Sequence, residues 1–289
     1  MRVWVTGSRG QVGQVLLHAL RRKGIDCFGT SHAEVDIADE GAVRARMQEA
    51  THVVNTAAYC EVDPAESQRE KAFRANVLGP DVLAKVSKET GSHLLHISTD
   101  YVFDGTLGRP YAEEDEAHPL NWYGETKREG ELRIAEGNPD ACIVRVSWVF
   151  GGAGERNYAP RILHALQTEK ELRFVDDQKS SPTYAIDFAG ALIVLLDRHG
   201  MYHYCNEGCV SKYGFASAIL ERARQKQFLV VCERIVPVSS SAFYSAAKRP
   251  LFTPLNTQKI QALLPIRTWQ EALDDYFFHL PVPSRPGVL

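Results

Sequence analysis

Apolar positions in this chain fall into short runs separated by longer amphipathic stretches. "RVWVTG" at the start reads as a strand, followed by a helix from Gln11 to about Arg22 that Gly24 ends. "DCFGT" predicts a second strand, residues 39–49 a second helix and "HVVNTAA" a third strand. A long helical stretch is predicted from Ala65 to about Thr90, then a strand, "HLLHIST", from 93. Another helix starts near Trp122, and "ACIVRVSWVF" from 141 is again a strand. Beyond 150 the pattern loosens, with more Pro, Ser and Tyr, until a last helix, "TWQEALDDYFFHL", and a Pro-rich tail. Strands alternating with helices of this length predict an α/β fold, a doubly wound parallel sheet of the Rossmann type. "CIVRVSWVF" is largely apolar throughout, as befits a parallel strand covered on both faces. We expect a first domain over 1–150 and a smaller second part over 151–289, with part of 175–205 returning to the first.

Bulk properties narrow the function classes. At 289 residues, 44% hydrophobic and 24% charged, the chain has the balance of a soluble globular protein. A formal charge of −3, from 33 basic and 36 acidic residues, argues against a nucleic-acid or membrane-surface binder. A strand beginning at residue 2 leaves no room for a signal peptide, and no apolar run is long enough to span a membrane. A cytoplasmic location and six reduced thiols, at 27, 60, 142, 205, 209 and 232, are the expectation.

The glycine loop "TGSRGQVG" changes the picture most. Gly7, Gly10 and Gly13 stand three apart between the first strand and the first helix. There the backbone can turn tightly and approach a pyrophosphate, whose charge the helix N-terminus favours. In the simple dinucleotide pattern a carboxylate ends the second strand and holds the ribose 2′-hydroxyl. Here that strand ends "FGTSH", with no carboxylate at Thr30 or Ser31, while Arg9 lies in the loop. That combination favours NADPH, with NADH possible.

Two tyrosines sit four residues before a lysine, Tyr123 and Lys127 in "YGETK" and Tyr244 and Lys248 in "YSAAK". At that spacing each pair would share one helical face. The first follows the strand ending "HISTDYVFDG", whose tip delivers Ser98, Thr99 and Asp100 to the edge where ligands of such sheets collect. Thr99 would orient a carbonyl, Tyr123 would supply the proton, and Lys127 would lower the phenol's pKa. A unit charge about 4 Å away at an effective dielectric near 20 is worth ~4 kcal/mol, or ~3 pKa units. The second pair follows no such strand and is interrupted by Arg249–Pro250, so Tyr244 is incidental.

The glycine spacing resembles that of the short-chain dehydrogenase/reductase superfamily. With "VDIAD", "NTAAYCEVDPAE", Ala75–Asn76, "STDYVFDG", "YGETKREGE", "RVSWVFG", "DDQKSSPTYAIDFA" and "AAKRPLFTPLNTQKI", the chain resembles the dTDP-4-dehydrorhamnose reductase family over nearly its whole length. The resemblance implies reduction of the C4 keto group of a dTDP-linked 6-deoxyhexose, with Thr99, Tyr123 and Lys127 catalytic. It places Gly7, Arg9, Gly10, Gln11, Val12, Asp36, Ile37, Ala57, Ala58, Tyr59, Asn76, Tyr123 and Lys127 around the cofactor. Substrate contacts would fall on Asp100, Trp148, Asn157, Lys248 and Arg249, the last two as diphosphate partners. Trp148 reads equally as core, and Asp63, before Pro64, reads as a helix N-cap. Some members hold magnesium at a dimer interface through a glutamate where this chain has Val15, so no metal is expected and a homodimer is left open. Ser180 and Cys60–Glu61 also depart from the family pattern. Three readings fit these residues: that reductase, a reductase or epimerase of another nucleotide sugar, or a non-catalytic regulatory subunit like that of methionine adenosyltransferase.

Overall fold

Successive residues of the first strand face opposite ways, and both faces are apolar. Val3 and Val5 enter one core with Val54, Leu95, Val144, Leu16 and Leu20, while Trp4 enters another with Val53, Leu94, Ile143, Leu83 and Ile134. A strand buried on both faces belongs inside a sheet flanked by two helical layers. The computed structural model, which describes residues 1–152 and 157–281, has that arrangement; most of the Pro-rich tail lies outside the described residues.

The first half runs β1 (Arg2–Thr6), α1 (Gln11–Arg22), β2 (Asp26–Thr30), α2 (Glu40–Met47) and β3 (His52–Asn55). It continues through α3 (Val62–Ser67), α4 (Arg69–Phe73), α5 (Gly79–Thr90), β4 (His93–Thr99), α6 (Trp122–Gly137) and β5 (Cys142–Val146). The second half runs β6 (Val149–Phe150), α7 (Tyr158–Thr168), β7 (Glu171–Val175), β8 (Lys179–Ser180), β9 (Thr183–Tyr184), α8 (Ala185–Val194) and β10 (Gly200–Tyr204). It ends with β11 (Val210–Ser211), α9 (Lys212–Gln225), β12 (Arg234–Val238), α10 (Gln258–Gln261) and α11 (Trp269–His279).

Six strands form one sheet in the order β10-β5-β4-β3-β1-β2, parallel throughout. Helix α8 packs beside α1 on one face, and α2, α5 and α6 cover the other. The strand order reverses between β1 and β3, so ligands are expected where their C-terminal ends, Thr6 and Asn55, lie side by side. A second core, built on Phe150, Ile162, Leu166, Phe215, Ile219, Trp269 and Tyr276, holds α7, α9 and α11.

Two predicted elements are broken in the structure. The long helix over 65–90 is three helices: Gln68 leaves helical geometry (φ −105°, ψ 46°), and Arg74–Leu78 is a π-helical turn. That turn carries Asn76, fully buried, whose side chain leaves the helix to bond a loop. The strand predicted from 141 splits at Trp148, whose φ of 40° takes it into the left-handed region, and β6 pairs with β9 outside the main sheet. Such a conformation costs a non-glycine residue about 1–2 kcal/mol and persists where its surroundings impose it.

Candidate active site

The glycine loop is built for close approach. Gly7 has φ +61°, and a Cβ there would lie 2.7 Å from the Ala57 backbone. A Cβ on Gly13 would lie 2.7 Å from the Gly7 carbonyl oxygen. Helix α1 starts at Gly10 with no side-chain cap and no acidic residue in its first turn. Its first amides are therefore left to an anion, and a dinucleotide pyrophosphate fits this cradle. Val12 packs against the core beneath, and Gln11 donates to the carbonyls of Gly151 (2.8 Å) and Val149, joining the loop to the second half. Arg9 is exposed. Ile37 lies buried under Gly79, whereas Asp36 pairs with Arg74 (2.8 Å) and accepts from the Ala38 amide. The N-cap of α2 is Asp39.

From Ala57 the β3–α3 loop runs through Ala58 and Tyr59 to Cys60, whose thiol acts electrostatically on Tyr123. Asn76 pins this loop, accepting from the Tyr59 amide (2.9 Å) and donating to the Tyr59 carbonyl and the Thr126 hydroxyl. Helix α6 begins at Asn121, which caps the Gly124 amide and donates to the Lys248 carbonyl (2.8 Å). Gly124 lets the helix lie on the turn that follows β4, since a Cβ there would stand 2.2 Å from the Tyr101 carbonyl oxygen. Tyr123 is thereby set beside the tip of β4, next to Thr99.

Lys127 departs from its expected role. It is 2% exposed; its Nζ donates to the Ile97 carbonyl (2.6 Å) and lies 3.2 Å from His96 Nε2. The Asn55 amide is oriented by two donors on its oxygen, Thr6 Oγ1 (2.6 Å) and Ala57 N (3.1 Å). Its Nδ2 therefore donates to His96 Nδ1 (2.9 Å), which puts the imidazole proton on Nε2, facing Lys127. That contact suits an amine better than an ammonium. Burial lowers Lys127 to about 8, against the upward pull of Cys60 and Glu131, and holds His96 well below its usual value. Nor is the Tyr123 phenol acidified: burial raises it well above the ordinary 10, Cys60, Asp100 and Tyr101 push the same way, and only the Thr99 hydrogen bond opposes them.

Asp100, 1% exposed, accepts from Thr253 Oγ1 (2.6 Å), Ser180 Oγ (3.2 Å) and Thr99 Oγ1 (3.2 Å); burial raises it to about 6. Ser180, a departure from the family pattern, is thus a partner of this carboxylate. Trp148 is half-buried, with Lys212 Nζ 5.9 Å from its ring centre. Asn157 is buried as the start of α7, accepting from Gly151 N and donating to the Gly152 carbonyl, so its polar atoms brace a turn. Lys248 is exposed, while Arg249 pairs with Asp63 (2.6 Å). Asp63 is therefore not the helix cap that its place before Pro64 predicts. The cap position is Glu61, and Asp63, held well below the carboxylate range by Arg249, ties α3 to residues 245–249. Tyr244, 96% exposed, lies outside the site.

Sequence reasoning passed over His96, Asn55 and Lys212. The first two carried a signal, polar residues inside apolar strands. Lys212, which burial lowers to about 8 and which donates to Gln178, carried none, because its neighbours come from distant segments. His52, His93 and Asp197 meet at the opposite edge of the sheet, where His52 Nε2 lies 2.8 Å from Asp197 Oδ1. Among the described residues no helix is long and apolar enough to cross a membrane.

Relatives match most of this chain's length. Residues 1–281 match the family described as the RmlD substrate binding domain. A dTDP-4-dehydrorhamnose reductase of Mycolicibacterium smegmatis is 36% identical over 99% of this chain and 90% of its own length. The Bacillus subtilis spore coat polysaccharide biosynthesis protein SpsK is 37% identical over 95% of this chain and 96% of its own. The crystal structure of dTDP-4-dehydrorhamnose reductase from Bacillus anthracis, in complex with NADP, superposes with a TM-score of 0.91 at 31% identity, covering 96% and 99% of the two chains. Sequence, fold and site agree, and the chain belongs to the dTDP-4-dehydrorhamnose reductase family.

Proposed function

We propose that this chain reduces the C4 keto group of dTDP-4-dehydrorhamnose, giving dTDP-L-rhamnose. The observation that carries the reading is that α6 sets Tyr123 beside Thr99 at the tip of β4 and Lys127 against Ile97 one turn further on, while the Ala57–Cys60 loop runs from the glycine cradle to this edge. NADPH or NADH, held by the glycine loop and the 57–59 segment, supplies the hydride. Tyr123 gives its proton to the developing C4 alkoxide, and the same burial that raises its pKa keeps the phenol protonated at neutral pH. Thr99, at the tip of β4 beside Tyr123, has its hydroxyl proton on Asp100 and leaves the phenol's proton free for the carbonyl. Lys127, one helical turn behind and deprotonating near 8, would restore the phenol's proton. Trp148, at the junction of the halves, and Lys212 and Arg249, on the second, offer an aromatic face and two cations to a nucleoside diphosphate.

Mixing the protein with the dTDP-linked 4-keto sugar and following the absorbance of reduced nicotinamide tests the assignment. Wild type should consume cofactor, and Tyr123→Phe should lower turnover about 10²-fold or more. A variant rate near wild type removes Tyr123 from the chemistry. No consumption by wild type removes the reductase reading.

A further inference from the structure

We infer that Glu34 sets the choice between the two nicotinamide dinucleotides, by holding with its carboxylate the donors that a ribose 2′-phosphate would use. This deepens the cofactor reading above and rests on it. In a doubly wound sheet the ribose 2′ position is read just past the end of the second strand. Ser31 is the first residue beyond β2 and is buried. Its amide (2.8 Å) and hydroxyl (2.5 Å) both donate to one oxygen of Glu34. The glycine loop borders the same spot: the Ser8 amide donates to the Thr30 carbonyl (3.0 Å), and Ser8 Cβ lies where a Cβ on Gly29 would clash. Arg9, the next residue, is near enough for its charge to act on Glu34.

An amide, a hydroxyl and a guanidinium together make a phosphate-binding set, and a carboxylate already engages it. The second strand lacks a terminal carboxylate in sequence, yet the turn after it returns one to that place. A 2′-phosphate would meet like charge and would have to displace Glu34 from Ser31, whereas a 2′-hydroxyl would not. The preference for NADPH read from the bare strand end is therefore narrowed toward equal use of both cofactors. Ser31 and Glu34 also close a local turn, with the amides of Glu34 and Val35 donating to the Ser31 carbonyl, and the reach of the Glu34 carboxylate to the Ser31 amide is one half of a capping box. Glutamine at 34 separates the two roles, because its amide oxygen can reach back as the carboxylate does but carries no charge.

Isothermal titration of the full chain with adenosine 2′,5′-bisphosphate and with 5′-AMP tests the inference without any sugar nucleotide. Glu34→Gln should tighten the bisphosphate about tenfold, the scale of one charge-assisted hydrogen bond, and leave 5′-AMP within about twofold. Arg9→Ala should weaken the bisphosphate alone, and thermal midpoints check that each variant is folded. Parallel changes in both nucleotides, or a bisphosphate affinity that Glu34→Gln leaves unchanged or lowers, overturn the inference. Failure of wild type to bind either nucleotide overturns it together with the cofactor reading. Absence of sugar turnover with the nucleotide ratio intact strikes the reductase reading alone.

Discussion

Replacing Lys127 by Met should make the nucleotide-free protein more stable at neutral pH while abolishing its chemistry. The lysine is 2% exposed, and burial takes it from an ordinary 10.5 to about 8. At about 1.4 kcal/mol for each tenfold in proton affinity, charging it inside the fold costs about 3 kcal/mol. The cost is fully present below pH 8. Between 8 and 10.5 the unfolded chain binds the extra proton and the folded chain does not, so stability rises with pH and the cost fades. Methionine fills a similar volume without charge but forfeits the bond to the Ile97 carbonyl, worth about 1 kcal/mol. The net expectation is a gain of about 2 kcal/mol at pH 7 and a loss of about 1 kcal/mol above pH 10.5. At roughly 2 °C for each kcal/mol in a chain of this size, the thermal midpoint should rise by about 4 °C at pH 7. Unfolding scans of both proteins across pH 7 to 10.5 check this. A variant destabilised equally at both ends would show that the buried amine is not held against its charge.

Other perturbations read the same site. Asp100 is raised from 3.8 to about 6, so the folded chain holds the extra proton between those values and the cost of its charge is complete above pH 6, about 3 kcal/mol. Asp100→Asn should therefore raise the chemical-unfolding midpoint at pH 7 and lose that advantage by pH 4; a midpoint lowered at pH 7 would refute it. Gly13→Ala drives a Cβ against backbone 2.7 Å away and should weaken nucleotide binding at least tenfold by titration. Gly190→Ala, on α8 with nothing within 4 Å, should bind normally and gain up to about 1 kcal/mol. Equal binding by the two alanine variants would mean that the loop has room the structure denies it.

Much of the first half was legible because its signals are local. The strand–glycine–helix unit, the apolar run of β1 and the Tyr123/Lys127 spacing each depend on residues within a few positions of one another. What escaped depends on long-range partners. Asp63 before Pro64 has the sequence of a helix cap, and only residues 245–249, folded against α3, make it an ion-pair partner. The split of the 65–90 helix serves Asn76, whose partners Tyr59 and Thr126 are 17 and 50 positions away. The spacing of Tyr123 and Lys127 was read correctly as one helical face, but not which neighbour the ammonium would meet. Ile97 and His96 take its polar contacts, and the phenol rises rather than falls.

That reversal bears on how the site works. Tyr123, Lys127 and Asp100 are buried together, and each is displaced toward its neutral form: the phenol up, the amine down, the carboxyl up. Such a site is held by partners rather than by its own charges. Those partners come from both halves: Ile97 and His96 for Lys127, Ser180 and Thr253 for Asp100, Thr99 for Tyr123. Thr99 is the shared point. Its one hydroxyl proton goes to Asp100, and its oxygen accepts from the Tyr101 amide, so while Asp100 is ionised that proton cannot also reach a substrate carbonyl. Tyr123, whose raised pKa keeps its proton, is then the hydroxyl left to meet a carbonyl at this edge. The donor that the chemistry requires is selected by the buried carboxylate next to Thr99 as much as by the lysine behind it.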